Sequence, residues 1–195
     1  MHLEHRVSYD IDLFLDSSRD LRALTPERNP RIKALLGDPP MKYEYPGRCL
    51  KLTQEDGEID FIVATPQTDP GFVAWSHAGY PVHLETAVEI AVKNLFFRRS
   101  TFKVRDVFDV AAVLERYPVE LDAALPLVAD RVSKVIDRIG ALAPIYAEQV
   151  LADVTPTELG RRWLDPELSL RPLLDYLRNW RSPLSPSPEI GRGQG

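Results

Sequence analysis

A change of texture near His83 constrains this chain most. From there on, Glu85 to Phe97 and Val104 to Arg116 run without proline or glycine and place apolar residues at helical spacing. Ahead of it, apolar and polar residues alternate in short runs separated by proline and glycine. A strand-built first part followed by a helix-built second part predicts an α+β chain: a small mixed, mostly antiparallel sheet followed by a helical bundle.

Within the first part, Asp10-Ile11-Asp12-Leu13-Phe14-Leu15-Asp16 alternates acidic with apolar residues, the pattern of a strand with one polar and one buried face. Turn and cap chemistry at Asp16 to Asp20 leads into a helical stretch, Leu21 to Leu36, broken around Pro26 and Pro30 and closed by Gly37-Asp38-Pro39-Pro40. Lys42 to Tyr45 and Arg48 to Leu52 read as strands. Asp56-Gly57 is a tight-turn signal, and Glu58 to Ala64, rich in β-branched residues, is the strongest strand in the sequence. Pro66 to Pro81 reads as a loop. Beyond Arg116, helices are expected at about 119–129, 130–151, 156–164 and 169–180. The expected division is a sheet lobe over 1–80, a helical lobe over 81–180 and a flexible proline- and serine-rich tail over 181–195.

Composition narrows the function classes. The 195 residues suffice for a full hydrophobic core, and 44% hydrophobic with 27% charged residues is an ordinary globular balance. Twenty-four Lys+Arg against 29 Asp+Glu give a formal charge of −5, so contact with nucleic acid requires a local basic patch. Cys49 is the single cysteine, which excludes an internal disulfide and a cysteine-rich zinc site. No apolar run approaches a membrane span or a signal peptide, so a soluble cytoplasmic protein is expected.

Asp10 and Asp12 are the first candidates for chemistry. On a strand they share one face about 7 Å apart, with Ile11 turned to the core, and two such carboxylates can hold a hard cation such as Mg2+. A solvated strand face explains the same pattern. Asp60, mid-strand between Ile59 and Phe61, is a candidate third acid, for metal or for deprotonating an acceptor hydroxyl, or else lies on the wet face of the sheet. Lys93 interrupts an apolar helix, where its charge needs solvent, a phosphate or a pair with Glu89 one turn earlier. Asp106 and Asp109 are three apart on one helix face, so Asp106 is either a cap or a site residue. Lys93, Arg98, Arg99, Lys103 and Arg105 put five cations in thirteen residues, suited to phosphates or simply solvated. Trp75 and His77 are candidates for stacking on a base, and Trp163 and Trp180 for a core or a partner-facing surface.

Two blocks carry a family resemblance. Arg6-Val7-Ser8-Tyr9-Asp10-Ile11-Asp12-Leu13-Phe14 resembles the active-site strand of the polymerase-β-like nucleotidyltransferases. Glu89 to Leu95, Arg98 and Lys103 to Val110 resemble the second block of the AbiEii/AbiGii-type toxin branch of that superfamily. The resemblance spans residues 6–116. It implies a nucleotidyltransferase-like sheet lobe with a helical lobe completing the active site. In that reading Asp10 and Asp12 bind Mg2+ and the NTP, with Asp60 as the third metal ligand. Ser8, Arg98 and Arg105 lie near the phosphates, Lys93 contacts the triphosphate, and Asp106 belongs to the active site. The implied activity is transfer of a nucleoside monophosphate to an RNA acceptor, foremost the tRNA 3′ end, by a toxin of a toxin–antitoxin or abortive-infection system with a cognate antitoxin. The superfamily's glycine pair ahead of the Asp-x-Asp strand has no counterpart here, since the first glycine is Gly37. A chain starting downstream of its native start, a minimal variant, and a catalytically inactive module acting through protein–protein contact are all compatible with that departure.

Overall fold

The computed structural model describes residues 3–36, 43–45, 47–54 and 57–180. The expected flexible tail, the Gly37 to Pro40 break, Lys42 and Asp56 of the expected turn lie outside the described residues. The chain divides into two compact units, one of residues 7–66 and one that joins residues 1–6 to everything from 67 onward.

The first unit carries the mixed sheet. Strands β1 (Ile11–Leu15), β2 (Tyr43–Glu44), β3 (Cys49–Gln54) and β4 (Gly57–Val63) are arranged in the order β1-β4-β3-β2. β1 lies parallel to β4, while the other pairs are antiparallel. The expected helical stretch is occupied by two short helices, α1 (Ser18–Ala23), which starts three residues earlier than expected and ends ahead of Pro26, and α2 (Pro30–Leu35), which starts at Pro30. Ser17 caps α1 by accepting the Asp20 N–H, and Asn29 caps α2 just ahead of Pro30. Leu21, Ile32 and Leu36 from this helical segment meet Leu50 and Leu52 of β3, with Leu15, Ile59, Phe61 and Val63 packed around them. One face of the sheet is therefore apolar and covered. By the strand period, Asp12, Asp60 and Lys51 lie on the other.

β1 departs from expectation. Ile11 is 55% and Leu13 42% exposed, because β1 is the edge strand and only Leu15 from its apolar set reaches the cluster. Gly57 allows the start of β4 to approach the chain just before β1, since a Cβ there would sit 2.0 Å from the Tyr9 carbonyl oxygen.

The second unit opens with a hairpin where a loop was expected: β5 (Phe72–His77) and β6 (Tyr80–Glu85) pair antiparallel. Ala78 and Gly79 both take positive φ, 49° and 84°, the handedness that matches the twist of the flanking strands. Pro81 is accommodated because each strand of a two-stranded ribbon has one edge that needs no partner. The expected boundary at residue 80 thus falls inside this hairpin.

Helices α3 (Ala87–Phe97) and α4 (Val104–Arg116) follow within two residues of the expected bounds. Then come α5 (Pro118–Ala124), α6 (Ala129–Leu142), α7 (Tyr146–Asp153) and α8 (Leu170–Asn179). The expected helix at 156–164 is reduced to a 3-10 turn, Arg161–Leu164. The core runs along α3 and α4 to Leu125, Val135, Ile139, Trp163 and Leu173. Buried Tyr146 donates its hydroxyl to the Trp163 carbonyl at 3.1 Å, and desolvation holds its pKa up at about 12. The N-terminal residues belong here: Leu3 is in the core, and Gly160 lies so close to His5 that a Cβ would fall 1.7 Å from its carbonyl oxygen. No helix among the described residues is long and apolar enough to cross a membrane.

Candidate functional site

On the polar face of the sheet, the β1–β4 register puts Asp12 directly beside Asp60, and the β3–β4 register puts Lys51 on the other side of Asp60. The strand period carries Asp10 and Glu58 onto the same face two residues along. The row is therefore carboxylate, carboxylate, ammonium, each on a different strand. Lys51 Nζ lies 3.2 Å from Asp60 Oδ2 and also bonds Glu58. Its pKa is raised, chiefly by the Glu58 hydrogen bond and further by Asp60, against the opposing pull of burial.

Asp60 is the most constrained member. Oδ2 faces Lys51, whereas Oδ1 is buried without a hydrogen-bond partner. An orphaned buried carboxylate oxygen costs about 1–3 kcal/mol or more, a cost that a water, an ion or a ligand group would relieve. Cys49 on β3 senses the same acids: burial raises its thiol pKa most, Asp60 and Asp12 add to this, and Lys51 opposes them. Cys49 is held as a neutral thiol rather than a nucleophile. Ser8 donates its hydroxyl to the Asp10 carbonyl at 3.3 Å.

As hard oxygen donors, Asp12 and Asp60 have the chemistry that Mg2+ requires. Among the described residues, no group of three or more His, Cys, Asp or Glu side chains is gathered closely enough to hold a metal ion. What fits on geometry is thus a two-carboxylate pair, with Asp10 two residues along the strand.

The remaining sequence candidates belong to the helical unit. Lys93 is almost fully buried on α3 and pairs with Glu85 and, at 3.4 Å, with Glu89. Glu89, 0% exposed, also accepts the backbone N–H groups of Gln67 and Thr68 and the Thr68 hydroxyl at 2.8 Å. These bonds fasten the chain entering the hairpin to α3. Asp106 accepts the Lys103 N–H at 2.8 Å, which caps α4, and pairs with Arg98 at 2.9 Å. Burial raises its pKa, more than Arg98 and the Lys103 N–H lower it. Arg105 is half-buried on α4. Within the basic stretch, Lys93 and Arg98 are matched by acids of their own unit.

Asp109 is bound by His5 Nε2 at 2.7 Å and by Arg6 through two bonds of 2.7 and 2.9 Å. Burial is the largest influence on its carboxyl and acts upward, yet the His5 and Arg6 bonds outweigh it and the pKa is lowered. His5 also stacks on Phe108, centroids 5.4 Å apart. Trp75 is 50% exposed on β5, its ring 5.5 Å from that of His77. Trp163 is core, and Trp180 packs against it.

Sequence reasoning missed Lys51, although its alternation in Cys49-Leu50-Lys51-Leu52 puts it on the polar face. It also missed the partners of Asp109, which lie more than one hundred residues away and leave no local signal. No protein-family model matches this chain, and neither a curated protein nor a solved structure shows a significant match to it.

Proposed function

We propose that this chain is a Mg2+-dependent nucleotidyltransferase that transfers a nucleoside monophosphate from an NTP to the hydroxyl of an RNA acceptor, foremost the tRNA 3′ end. In this reading it is the toxin of a toxin–antitoxin or abortive-infection pair, restrained by a cognate antitoxin. The observation that carries it is the side-by-side register of Asp12 and Asp60 on parallel strands, with Asp60 Oδ1 buried and unpartnered. The resemblance of residues 6–14 to an active-site strand supports it from the sequence side.

Asp12 and Asp60, joined by Asp10, are the residues that would hold Mg2+. Bound there, the ion would offset negative charge on the phosphates and on the leaving pyrophosphate. In the reaction the acceptor oxygen bonds to the α-phosphorus, the bond from the α-phosphorus to the bridging oxygen breaks, and pyrophosphate leaves. The acceptor proton passes to a carboxylate, for which Asp60 is the candidate. Lys51 holds Asp60 Oδ2, which helps to orient the carboxylate.

The test is to incubate the full chain with Mg2+, total tRNA and each α-labelled NTP in turn. Label on tRNA from one NTP, lost at least roughly 100-fold in Asp12→Asn and Asp60→Asn with melting unchanged, is the expected result. Labelling that persists in Asp12→Asn overturns the assignment. One observation favours a second reading, a catalytically inactive module acting through protein contact: the cation the resemblance assigns to the triphosphate, Lys93, is matched by Glu85 and Glu89 in its own unit. Absence of both label and any Mg2+–NTP thermal shift would put that reading first.

A further inference from the structure

The sheet unit carries a second charged feature, away from its acids. Arg19 and Arg22 on α1 and Arg28 in the turn after it line one open cavity of about 690 Å3, together with Ser18 and Ala23. All three arginines are exposed, and among the described residues none of them makes an ion pair. Arg31 and Lys33 on α2 bring the stretch to five cations in fifteen residues against two acids, Asp20 and Glu27. The Asp20 carboxylate accepts the Ser17 hydroxyl at 2.7 Å and does not line the cavity. Arg19 and Arg22 are one helical turn apart, a like-charge pair that local helix energetics disfavours. In a chain of net charge −5, three guanidiniums around one open hollow offer an anion a local basic patch. The guanidinium fork, planar and always charged, matches phosphate oxygens better than any other side chain.

Position selects the kind of phosphate. α1 and α2 cover the apolar face of the sheet, and α1 follows the far end of β1 from Asp10 and Asp12. The acids occupy the opposite face. A nucleotide bound at Asp12 and Asp60 would sit on the opposite face from this cavity, so the cavity suits a separate phosphate, such as one of the repeating phosphodiesters of a polymer. We propose that Arg19, Arg22 and Arg28 form a backbone-phosphate site for a strand of RNA. The choice of RNA among polyanions rests on the function proposed above; the phosphate chemistry rests on the arginines alone.

The probe is a fluorescein-labelled single-stranded RNA of about 12 nucleotides, within the usual range of single-strand site sizes. It is titrated by anisotropy against the full chain bearing Asp12→Asn, so that no transfer consumes it, from about 50 to 200 mM salt. Adding Arg19→Gln, Arg22→Gln and Arg28→Gln together is expected to weaken binding at least roughly tenfold at the low-salt end. It should also flatten the slope of log K against log salt by about 2, the loss of three single-strand phosphate contacts. The corresponding triple lysine variant should keep the slope, and an unchanged melting temperature in both excludes unfolding. Equal affinity and slope in the glutamine variant overturn the proposal. So does a glutamine variant that loses binding of inorganic tripolyphosphate but keeps that of RNA, because the site then serves a free polyphosphate. Arginine-dependent RNA binding in a chain that labels no tRNA would leave this inference standing and remove the proposed reaction. Labelling that survives loss of the arginines, with RNA affinity unchanged, would do the reverse.

Discussion

In the helical unit, Glu89, Lys93, Asp106 and Asp109 are all buried, and each has its charge met by a named partner close at hand. In the sheet unit, Asp60 is only partly enclosed yet keeps a buried oxygen with no hydrogen-bond partner, and three arginines stand around a cavity with no acid paired to them. Buried charge is tolerated when it is matched, and matched charge organises a fold. A buried oxygen left without a partner has no such structural explanation, whereas the exposed arginines are open to water and to anions. The contrast assigns the buried charges of the second unit chiefly to architecture and directs the search for chemistry to the first.

The strongest challenge to that contrast is Asp109. Asp109→Ala leaves His5 and Arg6 beside an empty site and should cost about 3–5 kcal/mol, the usual penalty for breaking a buried pair. Chemical denaturation of the full chain measures it, and a loss below about 1 kcal/mol would mean that the N-terminal segment is held by packing alone.

Next is Glu89. Glu89→Ala removes the acceptor for the Gln67 and Thr68 N–H groups and one partner of Lys93, for an expected loss of about 2–3 kcal/mol. Accelerated hydrogen exchange at Gln67 and Thr68, with the middle of α4 unchanged, would localise the effect.

Acid titration sharpens the same comparison. The native pKa of Asp109 is lowered, so its contribution is full above the unfolded-state value near 3.9 and is lost as pH falls through the native one. Asp106, with its raised pKa, acts in the opposite sense: its contribution is present below about 3.9 and lost as pH rises through the native value. Melting temperature followed from about pH 6 to pH 3 should therefore fall less steeply in Asp109→Asn than in the parent chain. Identical slopes would contradict a lowered pKa at Asp109.

The smallest expected effect on stability is at Asp60. Asp60→Asn takes a charge from beside Asp12 while keeping an oxygen near Lys51, and should change stability by less than about 1 kcal/mol while abolishing any transfer activity. A large loss of stability would make Asp60 a structural residue like those of the helical unit.

Much of this was legible in the residues. The bounds of α3 and α4 followed from proline-free runs with a 3.6-residue period, and the gap between α1 and α2 holds Pro26, with Pro30 opening α2 where its missing N–H costs nothing. β4 followed from its β-branched run, and the polar-face position of Asp12 from the alternation along β1. The hairpin was not legible, because Ala78-Gly79 is a weaker turn signal than asparagine or aspartate before glycine, and Gly79 and Pro81 read as loop. Nor was the exposure of Ile11 and Leu13, which depends on β1 being an edge strand.

What the sequence determined by itself was local: the period of each segment, its caps and breaks, and the side of a strand on which each acid falls. The tertiary structure decided the partners. It set Asp12 beside Asp60 through a parallel pairing, brought His5 and Arg6 to Asp109, met Lys93 with Glu85 as well as Glu89, and gathered Arg19, Arg22 and Arg28 around one hollow. Periodicity follows from the geometry of neighbouring residues, whereas register and charge pairing across tens of residues depend on which return of the chain buries the most apolar surface with every buried polar group satisfied.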